Sequence, residues 1–365
     1  MNLNIDFLPT SPVPPPRLPR EAPAVYTAPT GRAAYRRLDA NEGPPPPDGF
    51  LSAALAAAAP NVTFYPEYTE LREAAARAWG VPAPSVLPVN GADEGIRLWL
   101  EAVGGPGAPL LLPEPTFPMY RVSASLTGTP VVSVPLGPDF GLDAESVAEA
   151  LPRAAALALV SPGNPSGRRI GEAVLRGLLA AAGGRPVLVD EVYGPFCGQD
   201  FTPLLAEFPN VALLRSLSKA YGVPGLRCGF ILAGPALAGR LELRRPPYNV
   251  SSVAASVGAV LLADDGDAPR RRRAAVEARQ ALQGWLAAAG VPTSPSDTHF
   301  CLLRLGASSG AAVRRLESQG ILVRDLGGAL PGWIRVSVTG RADADAFAAA
   351  FLPWWCGRRL TGGQP

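Results

Sequence analysis

Histidine is nearly missing from this chain of 365 residues: His299 is the single one. A Ser-His-Asp hydrolase would have to run through that residue alone, and most catalysis built on imidazole is excluded. Cysteine is scarce as well. Cys197, Cys228, Cys301 and Cys356 contain no CxxC pair, so they read as reduced, mostly buried thiols. With one histidine beside them they leave no ligand set for structural zinc, and no metal is expected. An excess of either charge is missing too: 33 basic against 31 acidic side chains give a net +2, too weak a field to call for nucleic acid. No window reaches the roughly 18 uncharged apolar residues of a membrane helix, so no membrane partner is expected. The opening residues hold Asp6 and several prolines where an export signal has a basic start and an apolar stretch, which makes the cytoplasm the expected location.

What is present is apolar and turn-rich: 47% hydrophobic residues, 42 Pro and 39 Gly, enough for one large core or two modest domains. The first 25 residues are Pro-rich and read as extended, and the Pro cluster at Asn41–Pro47 marks a rigid loop. Helical patterns occupy 50–59 and 69–79. From residue 86 short apolar runs alternate with Ala/Leu-rich helical segments: VLPVN, APLLLPEP, PVVSVPL, AALALVSP, RPVLVDEV, NVALLRSLS and CGFILAG. Such continuously apolar runs are strands buried on both faces, the pattern of an α/β fold with a mostly parallel central sheet flanked by helices. Beyond residue 246 the order becomes long helices, then HFCLLRL, a helix at 308–319, ILVRDLG, WIRVSVTG and a last helix at 343–352, a small α+β lobe. The expected division is an N-terminal arm at 1–39, a large domain at 40–250 and a small C-terminal domain at 251–365.

Four segments carry chemistry. Lys219 follows an apolar strand, where a bare ammonium is costly to bury, and Ser216, Ser218 and Arg227 near it suit a phosphate monoester. Asp190 ends another strand, at the edge where open sheets bind ligands, with Tyr193 three residues on; alone it reads equally as a helix cap or a magnesium ligand. Ser161–Gly167 is by itself a turn, although Asn164 could offer its amide to a ring oxygen. At Asn90–Glu94 a strand runs into a helix, and the N–H groups of Gly91, Ala92 and Asp93 form an anion seat without the GK[ST] of a nucleotide loop.

In that order the segments resemble the fold-type I pyridoxal-phosphate enzymes, and among them the histidinol-phosphate aminotransferase family. The wording runs through LDANEG at 38–43, FYP at 64–66, NGADE at 90–94, PTFPMY at 115–120, SPGNPSG at 161–167, DEVY at 190–193, SLSKAYGVPGLRCGF at 216–230, ILVRD at 321–325 and IRVSV at 334–338. The resemblance implies that Lys219 binds pyridoxal 5'-phosphate through its amine, Asp190 pairs with the ring nitrogen, and Tyr193 and Asn164 hold the ring oxygen. It puts Phe117 on the ring face and gives the phosphate to Ala92, Asp93, Ser216, Ser218 and Arg227. Tyr65 would reach that phosphate from a neighbouring subunit, implying a homodimer with shared sites. Arg335 would grip the substrate carboxylate, Arg324 the substrate's far end, and Asn41 and Tyr26 would border the substrate, Tyr26 as part of an N-terminal lid.

The chain departs from the family's wording at GNPSG, at Phe117, where tyrosine is frequent, and at His299, where asparagine commonly precedes Phe; His299 is expected to be structural. Three reactions use this machinery. The first moves an amino group from histidinol phosphate to 2-oxoglutarate. The second transaminates another amino acid, aromatic or from a specialised biosynthesis. The third is a decarboxylation or cyclisation. A non-catalytic pyridoxal-phosphate-binding regulator is not expected, because no basic DNA-binding extension is read in these residues.

Overall fold

The computed structural model describes residues 29–264 and 267–360. After a 3-10 turn come Arg36–Leu38 (β1), Asp48–Ala58 (α1), Thr69–Trp79 (α2), Val86–Val89 (β2) and Gly91–Val103 (α3). Leu110–Glu114 (β3), Met119–Leu126 (α4), Val131–Pro135 (β4), Ala144–Ala150 (α5), Ala156–Val160 (β5) and Glu172–Ala182 (α6) follow. Next are Val187–Asp190 (β6), Leu204–Glu207 (α7), Val211–Ser216 (β7), Gly229–Ala233 (β8), Pro235–Glu242 (α8) and Ser252–Ala263 (α9). Ala268–Ala288 (α10), Phe300–Arg304 (β9), Ser309–Ser318 (α11), Ile321–Asp325 (β10), Trp333–Ser337 (β11) and Arg341–Leu360 (α12) complete the order.

Seven strands form the large sheet in the order β2-β8-β7-β6-β5-β3-β4. β4, β3, β5, β6 and β7 are parallel, whereas β8 is antiparallel to both its neighbours. The sheet is mostly parallel, as the apolar runs predict. The reversal at β8 has a simple cause: Leu217–Cys228 joins it to β7 without an α-helix, and a parallel crossover would need one.

Side-chain alternation sorts this sheet into two apolar layers. Leu157, Leu159, Val187, Val189, Val211 and Leu213 face α1, α2, α5, α6 and α9. Ala156, Ala158, Leu188, Ala212 and Leu214 face α3, α4 and α8. Each fully buried Leu or Val in these layers contributes about 1.5–3 kcal/mol, so the sheet is fixed in register and its loop-bearing edge is a rigid platform.

A second sheet, β1-β10-β11-β9, packs against α10, α11 and α12. Its edge strand β1 falls within the stretch read from sequence as arm. Three residues are too few for a period, and only Leu38 is buried, Arg36 and Arg37 being exposed. The last helix runs beyond the expected 343–352, through Pro353, because Phe351 and Trp355 bury on one face four residues apart. Among the described residues no helix is long and apolar enough to cross a membrane.

Candidate active site

The carboxyl ends of β3, β5, β6 and β7 lie at one edge of the large sheet. β2 ends there too, because β2 and β7 are both antiparallel to β8. Loops from this edge, with β10, β11 and the loop after β1, enclose a cavity of about 910 Å³. Asn41, Ala92, Asp93, Phe117, Asn164 and Asp190 line it, together with Tyr193, Ser216, Ser218, Lys219, Arg227, Arg324 and Arg335. Segments up to 294 residues apart in sequence thus meet in one place (Asn41 to Arg335). Tyr65 lies elsewhere: it is 77% exposed and its ring stacks on Tyr248 at 4.4 Å. Tyr26 lies outside the described residues.

At the start of α3 the chain makes an anion seat. Gly91 sits at φ 72°, a left-handed conformation that glycine adopts without strain, and a Cβ there would come 2.2 Å from the Arg227 guanidinium. Arg227 itself is held at φ 53° and donates to Asp93 Oδ2 at 3.2 Å and Ser218 Oγ at 3.4 Å. Ser216 Oγ donates to Ser218 Oγ at 3.0 Å. Two buried hydroxyls, one guanidinium and the N–H groups of a helix start therefore converge, a donor set made for a phosphate.

Strand alternation separates the two acids that follow β6. Glu191 turns away from the cavity into a buried ion pair with Arg215 at 2.8 Å, the guanidinium lying 5.3 Å from the Trp79 ring. Asp190 turns into the cavity. Its Oδ1 accepts the Val192 N–H at 3.0 Å and its Oδ2 the Tyr120 hydroxyl at 3.1 Å. Burial pushes the Asp190 carboxyl up to about 6, and the two donors oppose that rise. Asp190 has no cationic partner among the described residues, an open demand for a positive charge.

The loop after β1 closes the site from the small sheet. Lys219 Nζ donates to the Ala40 carbonyl at 2.9 Å, and Asn41 Nδ2 donates to the Tyr193 hydroxyl at 3.0 Å. Gly43 lies so close to the Lys219 backbone that a Cβ would come 1.6 Å from its carbonyl oxygen; only glycine lets the loop approach. Burial, then the neighbouring Arg335 charge, lowers the Lys219 ammonium to about 8, so a neutral amine is well populated near physiological pH. Arg335 donates to Asn164 Oδ1 at 2.5 Å and to the Asp39 carbonyl at 2.7 Å, which leaves the Asn164 amide nitrogen as the group able to donate. Arg324 and Arg335 are direct partners across β10 and β11 and so share one face of the sheet. Like charges placed opposite one another cost stability unless an anion lies near them.

Several participants escaped the sequence reading. Tyr120 lies in PTFPMY, where the resemblance assigns a role to Phe117 alone. The Ala40 carbonyl leaves no side-chain signal. Glu114 and Arg121 pair at the outer wall of the cavity, with Ser133 Oγ donating to Glu114 at 2.6 Å. One signal was in plain view: Lys219 is the only lysine in the chain. His299 keeps its structural place. It is stacked on Phe196 at 4.4 Å, lies behind Tyr193 rather than on the cavity wall, and burial with the Lys219 and Arg335 charges pushes it down to about 3, a neutral ring.

The family model described as "Aminotransferase class I and II" matches residues 34–351. The histidinol-phosphate aminotransferase of Thermococcus gammatolerans is 36% identical over 321 residues, 87% of this chain and 91% of the relative. That of Thermobifida fusca is 36% identical over 329 residues, covering 86% and 89%. Among solved structures, the Sinorhizobium meliloti histidinol-phosphate aminotransferase in complex with pyridoxal-5'-phosphate superposes with a TM-score of 0.81 at 27% identity, over 90% of this chain and 92% of that one.

Proposed function

The chain belongs to the class I and II aminotransferase family, and from that premise we propose that it moves an amino group from histidinol phosphate to 2-oxoglutarate. It is a pyridoxal-phosphate-dependent aminotransferase. The cavity fits that cofactor on its own terms: the donor set at the start of α3 suits the phosphate, and buried Asp190 needs the cation that a protonated pyridine ring supplies. Bound pyridoxal phosphate supplies an electron sink for the pair left behind when the Cα–H bond of the substrate breaks.

In this reading the residues divide the work. Lys219 would anchor the cofactor and, once its amine is free, would accept the Cα proton at Nζ and pass it on to the cofactor side rather than back to Cα; an amine at about 8 can take and give a proton near neutrality. Asp190 keeps the proton on the ring nitrogen, Tyr193 and Asn164 hold the ring oxygen, and Phe117 packs on the ring. Ala92, Asp93, Ser216, Ser218 and Arg227 hold the phosphate. Asn41 borders the substrate.

The observation that carries the substrate is the Arg324–Arg335 pair, opposed in register on the cavity wall. Histidinol phosphate brings one anionic end and no carboxylate, whereas 2-oxoglutarate brings two carboxylates. Arg324 serves the phosphate in one half-reaction, and both arginines serve the diacid in the other. A panel of histidinol phosphate, aromatic amino acids, glutamate and threonine phosphate, with products read by mass, tests it. Glutamate should form from 2-oxoglutarate only when histidinol phosphate is present. Carbon dioxide release without an amino acceptor overturns the reading.

The same reading makes the protein a cytoplasmic homodimer that lends Tyr65 to its neighbour's phosphate seat. Exposed Val62, Phe64, Tyr65 and Tyr248 support it, being an apolar surface that water would otherwise cover. Mixing inactive Lys219→Ala chains with a Tyr65→Ala variant should recover about a quarter of the wild-type sites, since each mixed dimer rebuilds one complete site. A protein monomeric at every working concentration, or no recovery on mixing, removes the shared site.

A further inference from the structure

Resting on that cofactor reading, we propose that Tyr120 is a positioning residue that fixes the proton on the cofactor's ring nitrogen, acting through its hydrogen bond to Asp190. Tyr120 sits in the first turn of α4 with 0% exposure, in the apolar layer that Ala156, Ala158, Leu188, Ala212 and Leu214 form on one side of the large sheet. In that apolar layer a phenylalanine would pack without needing a partner for a hydroxyl. Among the described residues the Tyr120 hydroxyl has one hydrogen-bond partner, Asp190 Oδ2 at 3.1 Å.

The direction of that bond is fixed. Burial and then the Asp190 charge hold the phenol well above its ordinary value of 10.0, so Tyr120 stays protonated and donates. Asp190 Oδ1 is already engaged by the Val192 N–H at 3.0 Å. One fixed donor on each oxygen stabilises the carboxylate over the carboxylic acid. A proton shared between that carboxylate and a pyridine nitrogen then resides on the nitrogen. Without the phenol the carboxylate becomes the stronger base, the proton moves towards it, and the ring loses the charge that draws electrons. Tyr120 needs no contact with the substrate for this.

The test loads the full-length enzyme with pyridoxal phosphate carrying nitrogen-15 in the ring and reads the ring-nitrogen resonance. Wild type should give the protonated signal, and Asp190→Asn the unprotonated reference. Tyr120→Phe should move the signal towards that reference and lower the pH at which the ring proton is lost by roughly one to two pH units. Turnover should fall about tenfold to a hundredfold with little change in bound cofactor. Site-specific 3-fluorotyrosine at position 120, a stronger donor that keeps the shape, should shift the proton equilibrium the other way. A filler of space would alter stability and leave the ring signal alone. An unchanged signal and pH profile in Tyr120→Phe, or no opposite shift with fluorotyrosine, overturns the inference by itself. A chain that takes up no labelled cofactor overturns the cofactor reading, and this inference with it.

Discussion

Lys219→Ala should abolish covalent capture of pyridoxal phosphate and lower turnover on the order of ten-thousandfold, the scale on which a positioned base contributes. The chain's composition makes this test unusually clean. Lys219 is its only lysine, so the variant retains no ε-amine, and the N-terminal amine is the sole competing site. After borohydride reduction, wild-type protein should carry the cofactor on the segment between Arg215 and Arg227, and trypsin should no longer cut after Lys219. The variant should carry no label there. Capture by the wild-type apo-chain should rise about tenfold per pH unit and level off near 8, where burial and Arg335 have set the ammonium, rather than near the ordinary lysine value of 10.5. Label on the N-terminus of wild type with Lys219 still cleavable, or a variant of undiminished turnover, defeats the assignment.

How much of this was legible beforehand depends on whether the signal was local. Continuously apolar strands announced the large sheet, since burial on both faces leaves little room for polar residues; β6 and β7 are buried along their whole length. Residues at strand ends were legible for the same reason: Asp190 and Ser216 close β6 and β7, and Lys219 comes three residues after Ser216. β1 was not legible, because an edge strand with one buried residue has no pattern to read. Its consequence was hidden with it. Through β1 the Asp39–Asn41 loop reaches Arg335, Lys219 and Tyr193, so a stretch read as arm and rigid loop helps to build the site. Tyr120 was hidden differently: a buried tyrosine at helical spacing looks like core, and only the geometry reveals that its hydroxyl serves Asp190. The pairing of Arg324 with Arg335 needed register, which a separation of eleven residues does not specify.

Asp190→Asn should move stability and catalysis in opposite directions, and that divergence separates an electrostatic role from a structural one. The amide matches the carboxylate in shape and can still accept the Val192 N–H that Oδ1 now accepts. What disappears is a charge that burial penalises. The folded-state value of about 6 lies above the ordinary 3.8, so native Asp190 binds a proton more readily than unfolded Asp190 does. The resulting penalty on the apo-chain is absent below about pH 4, grows as pH rises through 4 to 6, and is complete above that, on the order of 3 kcal/mol. The variant lacks it, so apo Asp190→Asn should be more stable than wild type at pH 7, with the gain vanishing near pH 4. Thermal or urea unfolding at the two pH values measures this. Activity should go the other way. A neutral amide cannot hold a proton on the ring nitrogen, so cleavage of the Cα–H bond should slow on the order of a thousandfold, or about 4 kcal/mol of lost transition-state stabilisation. Cofactor content should stay near wild type, because Lys219 and the phosphate seat are untouched. A Cα-deuterated donor should then show a larger isotope effect in the variant, as proton removal becomes the slow step. A variant that is both less stable and depleted of cofactor would mark Asp190 as scaffolding, and one with full turnover would mean that the charge at this position does not drive the reaction.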